Sequence, residues 1–214
     1  MSVDGATAHI GQQADADAVD IRIDGVPLPV APGLVYYLAY KPTGMVSTAD
    51  DPQGRPIVVD LVPAESRVVP VGRLDADSEG LIILTNDGDL TLRITHPRYG
   101  VGKTYVALVD GMVDSGLPAT LVAGVDLDDG PARALRARVI DRSRDASIVE
   151  VVMGEGRNRI VRRMLDAAGH PVKRLTRTAI GPVTDQRLEP GTSRPLTVDE
   201  VRSLYAAAED DGDA

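Results

Sequence analysis

A single carboxylate in a glycine-flanked segment is the residue of this sequence best placed to do chemistry. Asp75 lies within residues 72–80, between two aliphatic runs that predict buried strands. A rigid frame of this kind can hold one carboxylate in a fixed geometry. Two other interpretations are an Asx-type turn in a hairpin and a calcium loop. The calcium loop is excluded because Asn86 stands at its twelfth position, where a bidentate glutamate is required.

A basic segment could supply the cation that keeps such a carboxylate ionised. Residues 156–177 hold seven basic residues against one acidic residue: Arg157, Arg159, Arg162, Arg163, Lys173, Arg174 and Arg177 against Asp166. Arginine side chains pair with carboxylates and also hold phosphates. A solvated helix face is the alternative explanation of this charge.

The composition excludes several kinds of site. The 214-residue chain has no cysteine, so disulfides, thiolate nucleophiles and cysteine-ligated metal centres are excluded. Its three histidines are scattered, which argues against a histidine-rich metal site. Because the chain has no Phe or Trp, its six tyrosines are the residues left to stack on other rings. Among these, Tyr105 lies in a basic, polar stretch, where it could pack in the core or stack on a nucleobase.

The net charge of −9 is concentrated at the two ends of the chain. Residues 1–20 and 209–214 each carry −4, which leaves only −1 for the body between them. A near-neutral body with one basic segment is compatible with binding a polyanion. No run approaches the roughly 18 apolar residues of a membrane span, and the first residues do not resemble a signal peptide. We therefore expect a cytoplasmic protein without a membrane partner.

The pattern of elements predicts an α+β fold around a mostly antiparallel sheet. Strands are predicted at residues 21–23, 35–40, 68–71, 81–84, 103–109, 133–140, 147–153 and 172–180. Helices are predicted at residues 89–95, 114–123 and 157–168, the last with apolar residues at helical spacing. Thr197 and Glu200 form a capping-box pattern that begins a final helix. Residues 57–62 predict a short helix or strand.

Four ordered motifs resemble those of the ribosomal RNA pseudouridine synthases, RsuA/RluB type. They are VGRLDADSEGL at 71–81 with LTNDG at 84–88, YKPTGMVS at 40–47, THP at 95–97 with KTY at 103–105, and EGRNRIVRRM at 155–164. The segments GHP at 169–171 and RTAIGP at 177–182 agree as well. The resemblance covers about residues 34–205, and the order of the motifs makes it far more specific than any one of them.

The resemblance implies a pseudouridine synthase fold, a mixed and mostly antiparallel sheet with flanking helices and a central cleft. It also implies an isomerase that converts uridine in ribosomal RNA to pseudouridine without a cofactor or metal. The motif around Asp75 looks closer to the RluB type, which points to 23S RNA. Asp75 is similar to the family's essential aspartate, Tyr105 to the tyrosine that packs on the target base, and Arg162 to the basic residue that pairs with the aspartate.

The resemblance and the basic segment together give a set of expected RNA contacts. They are Arg73, Lys41, Lys103, Arg157, Asn158, Arg159, Arg163, Lys173, Arg174 and Arg177. The target uridine must leave the base stack before it reacts, at a cost of a few kcal/mol. The detached uracil must also stay captive, so we expect a closed, largely apolar pocket lined from residues 81–84 and Ile160.

The resemblance also predicts the domain organisation. Residues 1–32 are expected to be an acidic remnant of a truncated S4-type RNA-binding module, 33–208 the catalytic domain and 209–214 an acidic tail. Ile160 departs from the family, where many relatives carry Gln. We expect a monomer. Two alternatives remain open: a non-catalytic RNA-binding or ribosome-assembly protein that keeps the fold, and a nucleoside hydrolase, which would need a second carboxylate to activate water.

Overall fold

The computed structural model describes residues 1–14, 19–23, 26–27 and 33–208. The acidic tail predicted at residues 209–214 lies outside the described residues. Within them, no helix is both long and apolar enough to cross a membrane.

The described chain forms fifteen short strands and four α-helices. The strands are β1 (Ser2–Val3), β2 (Ala6–Thr7), β3 (Ile21–Ile23), β4 (Val26–Pro27), β5 (Tyr36–Lys41), β6 (Val69–Pro70), β7 (Glu79–Thr85), β8 (Lys103–Asp110), β9 (Val125–Leu127), β10 (Gly130–Ala132), β11 (Arg136–Arg142), β12 (Ala146–Met153), β13 (Val172–Ile180), β14 (Val183–Thr184) and β15 (Ser193–Pro195). The helices are α1 (Gly88–Thr95), α2 (Leu117–Ala123), α3 (Ile160–Ala167) and α4 (Val198–Ala206).

A nine-stranded mixed sheet forms the body of the protein. Its strands run in the order β11-β12-β8-β13-β7-β5-β15, with β14 beside β13 and β6 beside β7. All of these pairs are antiparallel except β13 with β7, which is parallel. The predicted α+β class with a mixed, mostly antiparallel sheet is therefore confirmed. Strands β2-β1-β3-β4 form a separate small sheet, and the assignment of residues 1–32 to an S4-type remnant stays a prediction.

Strand β7 is buried along its whole length because the sheet is covered on both faces there. Leu81 and Ile83 pack with α1 and α4, whereas Ile82 and Leu84 pack on the opposite face against the short 3₁₀ helix Val58–Leu61. This run of aliphatic residues thus predicted a buried strand correctly, and the ambiguous segment 57–62 is the 3₁₀ helix.

Helix α3 packs an apolar face onto the other half of the sheet. Its buried residues are Ile160, Val161, Met164 and Leu165, which join α2 and strands β8, β12 and β13 in one core cluster. The helical spacing predicted this face, although the helix begins three residues later than expected. Its N-cap, Arg159, has left-handed backbone angles. Arg162, in the first turn of α3, contacts the segment that carries Asp75.

Gly80 allows β7 to lie against β13. A Cβ atom added at Gly80 would lie 2.2 Å from the carbonyl oxygen of Arg177, and the residue has a φ of +111°. No other residue fits this position without separating the two strands. The parallel contact therefore depends on the last glycine of the motif around Asp75.

Candidate active site

The backbone on both sides of Asp75 is held by a different segment of the chain. The Oγ of Ser47 accepts a hydrogen bond from the Leu74 N–H at 3.0 Å, and its hydroxyl donates to the Leu74 carbonyl at 2.9 Å. The N–H of Gly44 donates to the carbonyl of Ala76 at 2.7 Å. The segment 40–47, one of the motifs found in the sequence, thus fixes the residues immediately before and after Asp75.

Two buried cations hold the ends of the same loop. Lys41 is fully buried and its Nζ donates to the carbonyl of Ser78 at 2.7 Å. Arg177 is 4% exposed and its Nε donates to the carbonyl of Leu81 at 2.7 Å. Its Nη1 lies 3.5 Å from the carbonyl of Arg73. These side chains therefore bind protein backbone on either side of the carboxylate.

Lys103 is buried in the same way, with its Nζ donating to the carbonyl of Ile94 at 2.6 Å. Burial lowers the pKa of both Lys41 and Lys103 to about 8. The expectation that Lys41, Lys103 and Arg177 contact an RNA backbone does not match this arrangement, because their charged groups are buried and bound to protein carbonyls. Lys41 and Arg177 instead bind backbone carbonyls at the ends of the loop that carries Asp75, and Lys103 binds a carbonyl of helix α1.

Asp75 itself is half-buried and faces a cavity of about 200 Å³. The cavity is lined by Arg73, Leu74, Asp75, Ser78, Tyr105, Gly156, Arg157, Asn158, Arg159, Ile160, Val161 and Leu175. Among the described residues, no cation lies within 4.0 Å of the Asp75 carboxylate. The carboxylate is therefore available to a molecule that enters the cavity.

The neighbouring carboxylate, Asp77, takes the ion pairs instead. Arg159 donates to both of its oxygens at 2.9 Å, and these hydrogen bonds lower the pKa of Asp77. The Nε of Arg162 lies 3.5 Å from the Asp77 Oδ2. The expected direct pairing of Arg162 with Asp75 is therefore corrected: Arg162 pairs with Asp77, and Asp75 contributes only a weaker electrostatic attraction.

Arg162 ties three elements together. Its side chain is only 11% exposed, and burial lowers its pKa. The guanidinium donates to the carbonyl of Val172 at 3.1 Å, to the carbonyl of Asp77 at 2.8 Å and to the hydroxyl of Ser78 at 3.3 Å. Arg162 thus joins α3 and β13 to the loop that carries Asp75.

Tyr105 lies on β8, where it pairs with Val151 on one side and with Arg177 on the other. Its ring packs against the core cluster below α3 and also lines the cavity with Asp75. A second cavity of about 210 Å³ lies next to the first, and Tyr105 and Arg73 line both cavities. The structure therefore brings Asp75 and Tyr105 to the same opening, as the motifs predicted.

The remaining residues of the basic segment have carboxylate partners. The ion pairs are Arg157 with Glu155 and Asp129, Arg163 with Asp129, Lys173 with Asp110, and Arg174 with Glu79. Asp129 lies between β9 and β10, in a hairpin that the sequence patterns did not predict. The formal charge of this segment is thus largely balanced within the folded protein.

The wall of the cavity differs from the expected one. Residues 81–84 are fully buried in the core and do not line it, whereas Ile160 does. The lining is rich in polar groups, from Asp75, Asn158 and the arginines. The prediction that residues 81–84 line the pocket is therefore wrong, and only Ile160, of the predicted lining residues, lies in its wall.

The chain is similar to known enzymes along most of its length. The sequence profile described as RNA pseudouridylate synthase matches residues 35–167. An uncharacterized RNA pseudouridine synthase of Mycobacterium leprae is 48% identical over 212 residues, which cover 96% of this chain and 82% of that protein. The ribosomal large subunit pseudouridine synthase B of Bacillus subtilis is 40% identical over 178 residues, which cover 82% of this chain and 73% of that protein.

The chain belongs to the RNA pseudouridine synthase family.

A solved structure agrees with the sequence comparison. The crystal structure of a pseudouridylate synthase matches this RNA pseudouridine synthase with a TM-score of 0.72 and 29% identity, covering 95% of this chain and 87% of that one. The resemblance found in the motifs is thus confirmed, as are the fold class and the class of enzyme. The matched residues 35–167 include Asp75, Tyr105 and Arg162.

Proposed function

We propose that this RNA pseudouridine synthase converts uridine in 23S ribosomal RNA to pseudouridine, with Asp75 as the catalytic carboxylate. Enzymes named ribosomal large subunit pseudouridine synthase B, from Bacillus subtilis, Pasteurella multocida and Vibrio cholerae, are 37% to 40% identical to this chain. The choice of the large-subunit RNA rests on this similarity. We place the protein in the cytoplasm as a monomer.

One observation carries the assignment of the site. Asp75 and Tyr105 line the same cavity, and no cation among the described residues lies within 4.0 Å of the Asp75 carboxylate. A carboxylate already bound to an arginine would have to break that pair before it met a substrate. Asp75 does not have this obstacle, because the two neighbouring arginines, Arg159 and Arg162, pair with Asp77.

The reaction is balanced without an added reactant. The bond from the ribose C1′ to the uracil N1 breaks, the base turns, and a bond forms from C1′ to C5. The proton of C5 leaves, and N1 gains a proton. Asp75 attacks or stabilises the sugar or base while the glycosidic bond opens. The Tyr105 ring packs on the flipped base, an arrangement worth roughly 1–3 kcal/mol per stacked base.

The side chains around the opening hold the RNA. Arg73, Arg157, Asn158 and Arg159 line the cavity, and Arg163, Lys173 and Arg174 lie on α3 and β13. Most of these cations are bound to carboxylates in the free protein. RNA phosphates must therefore replace Asp77, Asp129 and other carboxylates during binding. Because RNA binding neutralises phosphates with these cations, affinity is expected to fall as salt rises.

Replacement of Asp75 tests this proposal. Asp75→Asn keeps the size of the side chain and removes its charge, so we expect no pseudouridine in a 23S ribosomal RNA transcript while RNA binding is retained. The matched control is Asp166→Asn, on the exposed side of α3, which should form product like the wild type. Mapping of pseudouridine along the transcript is the measurement.

Three results would contradict the proposal in different ways. Equal product from wild type and Asp75→Asn would remove Asp75 from its role. Binding without product from the wild type would indicate a non-catalytic RNA-binding protein. Release of free uracil would indicate a hydrolase.

A further inference from the structure

Half of the unpaired surface arginines lie in one short segment. In the described part of the chain, eight exposed arginines have no carboxylate within 4.0 Å: Arg67, Arg73, Arg98, Arg133, Arg136, Arg142, Arg144 and Arg187. Four of them fall within residues 133–144. We call Arg133, Arg136, Arg142 and Arg144 the edge arginines.

The edge arginines follow the outermost strand of the nine-stranded sheet. Strand β11 begins at Arg136 and ends at Arg142, and β12 is its single neighbour within the described sheet. Arg144 lies in the turn between the two strands. Seven residues of a strand extend over roughly 23 Å. Arg136 lies opposite Val152 and Arg142 lies opposite Ser147, so these two side chains point to opposite faces of the sheet. The edge arginines thus flank the outermost strand on both faces over a length of several nucleotides.

The start of the segment that carries the edge arginines adjoins the active-site cleft. Arg133 is two residues after Pro131, whose carbonyl accepts a hydrogen bond from the cleft residue Arg157 at 2.7 Å. Leu135 packs close to Gly154, next to the start of the segment that lines the cavity. A strand of RNA that leaves the cleft on this side would therefore meet β11 next.

The carboxylates near the edge arginines have other partners or lie in the turn after β11. Glu150 binds Arg138 through two hydrogen bonds, at 2.6 and 2.8 Å. Asp141 accepts a hydrogen bond from the backbone N–H of Arg142. Asp145 is exposed in the turn. None of them lies within 4.0 Å of an edge-arginine guanidinium.

We propose that the edge arginines bind the phosphate backbone of the ribosomal RNA that flanks the target uridine. The inference rests on the proposed function. A protein with a net charge of −9 needs a local positive surface to approach a polyanion. The arginines at the cleft must first break their ion pairs with carboxylates, whereas the edge arginines can bind phosphate without breaking an ion pair. They therefore supply an initial contact for the RNA.

The test compares Arg142→Ala/Arg144→Ala with the wild type and with Arg187→Ala. Arg187 is an exposed arginine without a carboxylate partner in another loop, which makes it a matched control. The affinity for a 23S ribosomal RNA transcript is measured by filter binding between about 0.05 and 0.3 M salt. Each lost phosphate contact should make the slope of log K against log salt less steep by about 0.7 to 0.9. At 0.15 M salt, this corresponds to roughly a fourfold to fivefold loss per contact.

Binding decides the proposal whether or not the protein forms product. A double variant with the affinity and salt slope of the wild type would overturn it, even if the wild type converts uridine. Loss in the double variant with an unchanged control supports it, even if the wild type forms no pseudouridine and the proposed function fails. Normal binding to RNA with lost binding to ribosomal precursor particles would overturn it in favour of a protein partner.

Discussion

Ser47 and Leu74 exchange two hydrogen bonds across the base of the loop that carries Asp75. The Leu74 N–H donates to the Ser47 Oγ at 3.0 Å, and the Ser47 hydroxyl donates to the Leu74 carbonyl at 2.9 Å. A single hydroxyl thus satisfies both backbone groups of the residue that precedes the carboxylate. This contact is the most direct means by which the motif at 40–47 positions the candidate catalytic residue.

Ser47→Ala is expected to slow catalysis more than it weakens RNA binding. It removes both hydrogen bonds and leaves two backbone groups of Leu74 without partners, at a cost of about 1–3 kcal/mol. We expect kcat to fall while the Kd for RNA changes little. Ser47→Thr keeps the hydroxyl and should restore most of the rate, which a purely structural defect would not require. Ser203→Ala, on α4, serves as the control. A similar loss for the Thr and Ala variants would contradict this role of the hydroxyl.

Gly80→Ala is expected to destabilise the whole domain. Its Cβ would lie 2.2 Å from the carbonyl oxygen of Arg177, so β7 and β13 must separate. We expect a loss of about 3 kcal/mol or more in the free energy of unfolding. Gly88→Ala is the matched control, since no atom lies within 4 Å of its added Cβ and the residue begins α1. Denaturant unfolding of the two variants gives the comparison, and equal midpoints would contradict the expected clash.

Arg162→Ala and Arg159→Ala should differ in stability although both arginines contact Asp77. The Arg162 side chain is 11% exposed and donates to two backbone carbonyls and one hydroxyl, so its loss should cost about 1–3 kcal/mol for each buried group left unsatisfied. The Arg159 side chain is 42% exposed, and its pair should be worth less than about 1 kcal/mol. Arg159→Ala should instead weaken RNA binding. Thermal melting and filter binding of both variants check the contrast, which equal melting temperatures would refute.

The two buried lysines predict a rise in stability at alkaline pH. Burial lowers the pKa of Lys41 and Lys103 to about 8, whereas an unfolded lysine titrates at about 10.4. Between these values the unfolded chain keeps protons that the native protein has released. Stability therefore rises from about pH 8 to about pH 10, by at most about 1.4 kcal/mol per pH unit and lysine. Below pH 8 both states are protonated and the lysines add no slope.

Lys103→Met should remove its share of that rise. Lys173→Met is the control, because Lys173 is an exposed lysine paired with Asp110. Denaturant unfolding at several values between pH 7.5 and about 10 measures the slope. A profile for Lys103→Met that runs parallel to the wild type above pH 8 would contradict the assignment.

Much of the fold could be predicted because it depends on local patterns. The aliphatic run at 81–84, the helical spacing within α3 and the capping box at Thr197 each indicated the correct element. The hairpin of β9 and β10 was not predicted. Its strands have three residues each, and side chains such as Arg157, which lie far away in the sequence, bind to it.

The site was predicted only in part, because several of its contacts join residues that are far apart in the sequence. The motifs placed Asp75 and Tyr105 together, but the sequence could not show which carboxylate takes Arg162. Asp75 and Asp77 are two residues apart, and the arginine reaches them across the fold. Lys41 was expected among the RNA contacts, whereas the structure buries its side chain against the Ser78 carbonyl. Ser47 belongs to the motif at residues 40–47, but nothing in that motif indicated a contact with Leu74.

The position of β11 at the margin of the sheet has a consequence for the protein in solution. A strand with one unpaired side offers its backbone to any other extended chain and so invites aggregation. Exposed arginines and an irregular register between Val139 and Asp141 make such pairing unfavourable here. The opposite margin, β15, has only three residues and ends in Pro195. Both margins therefore disfavour the addition of a foreign strand.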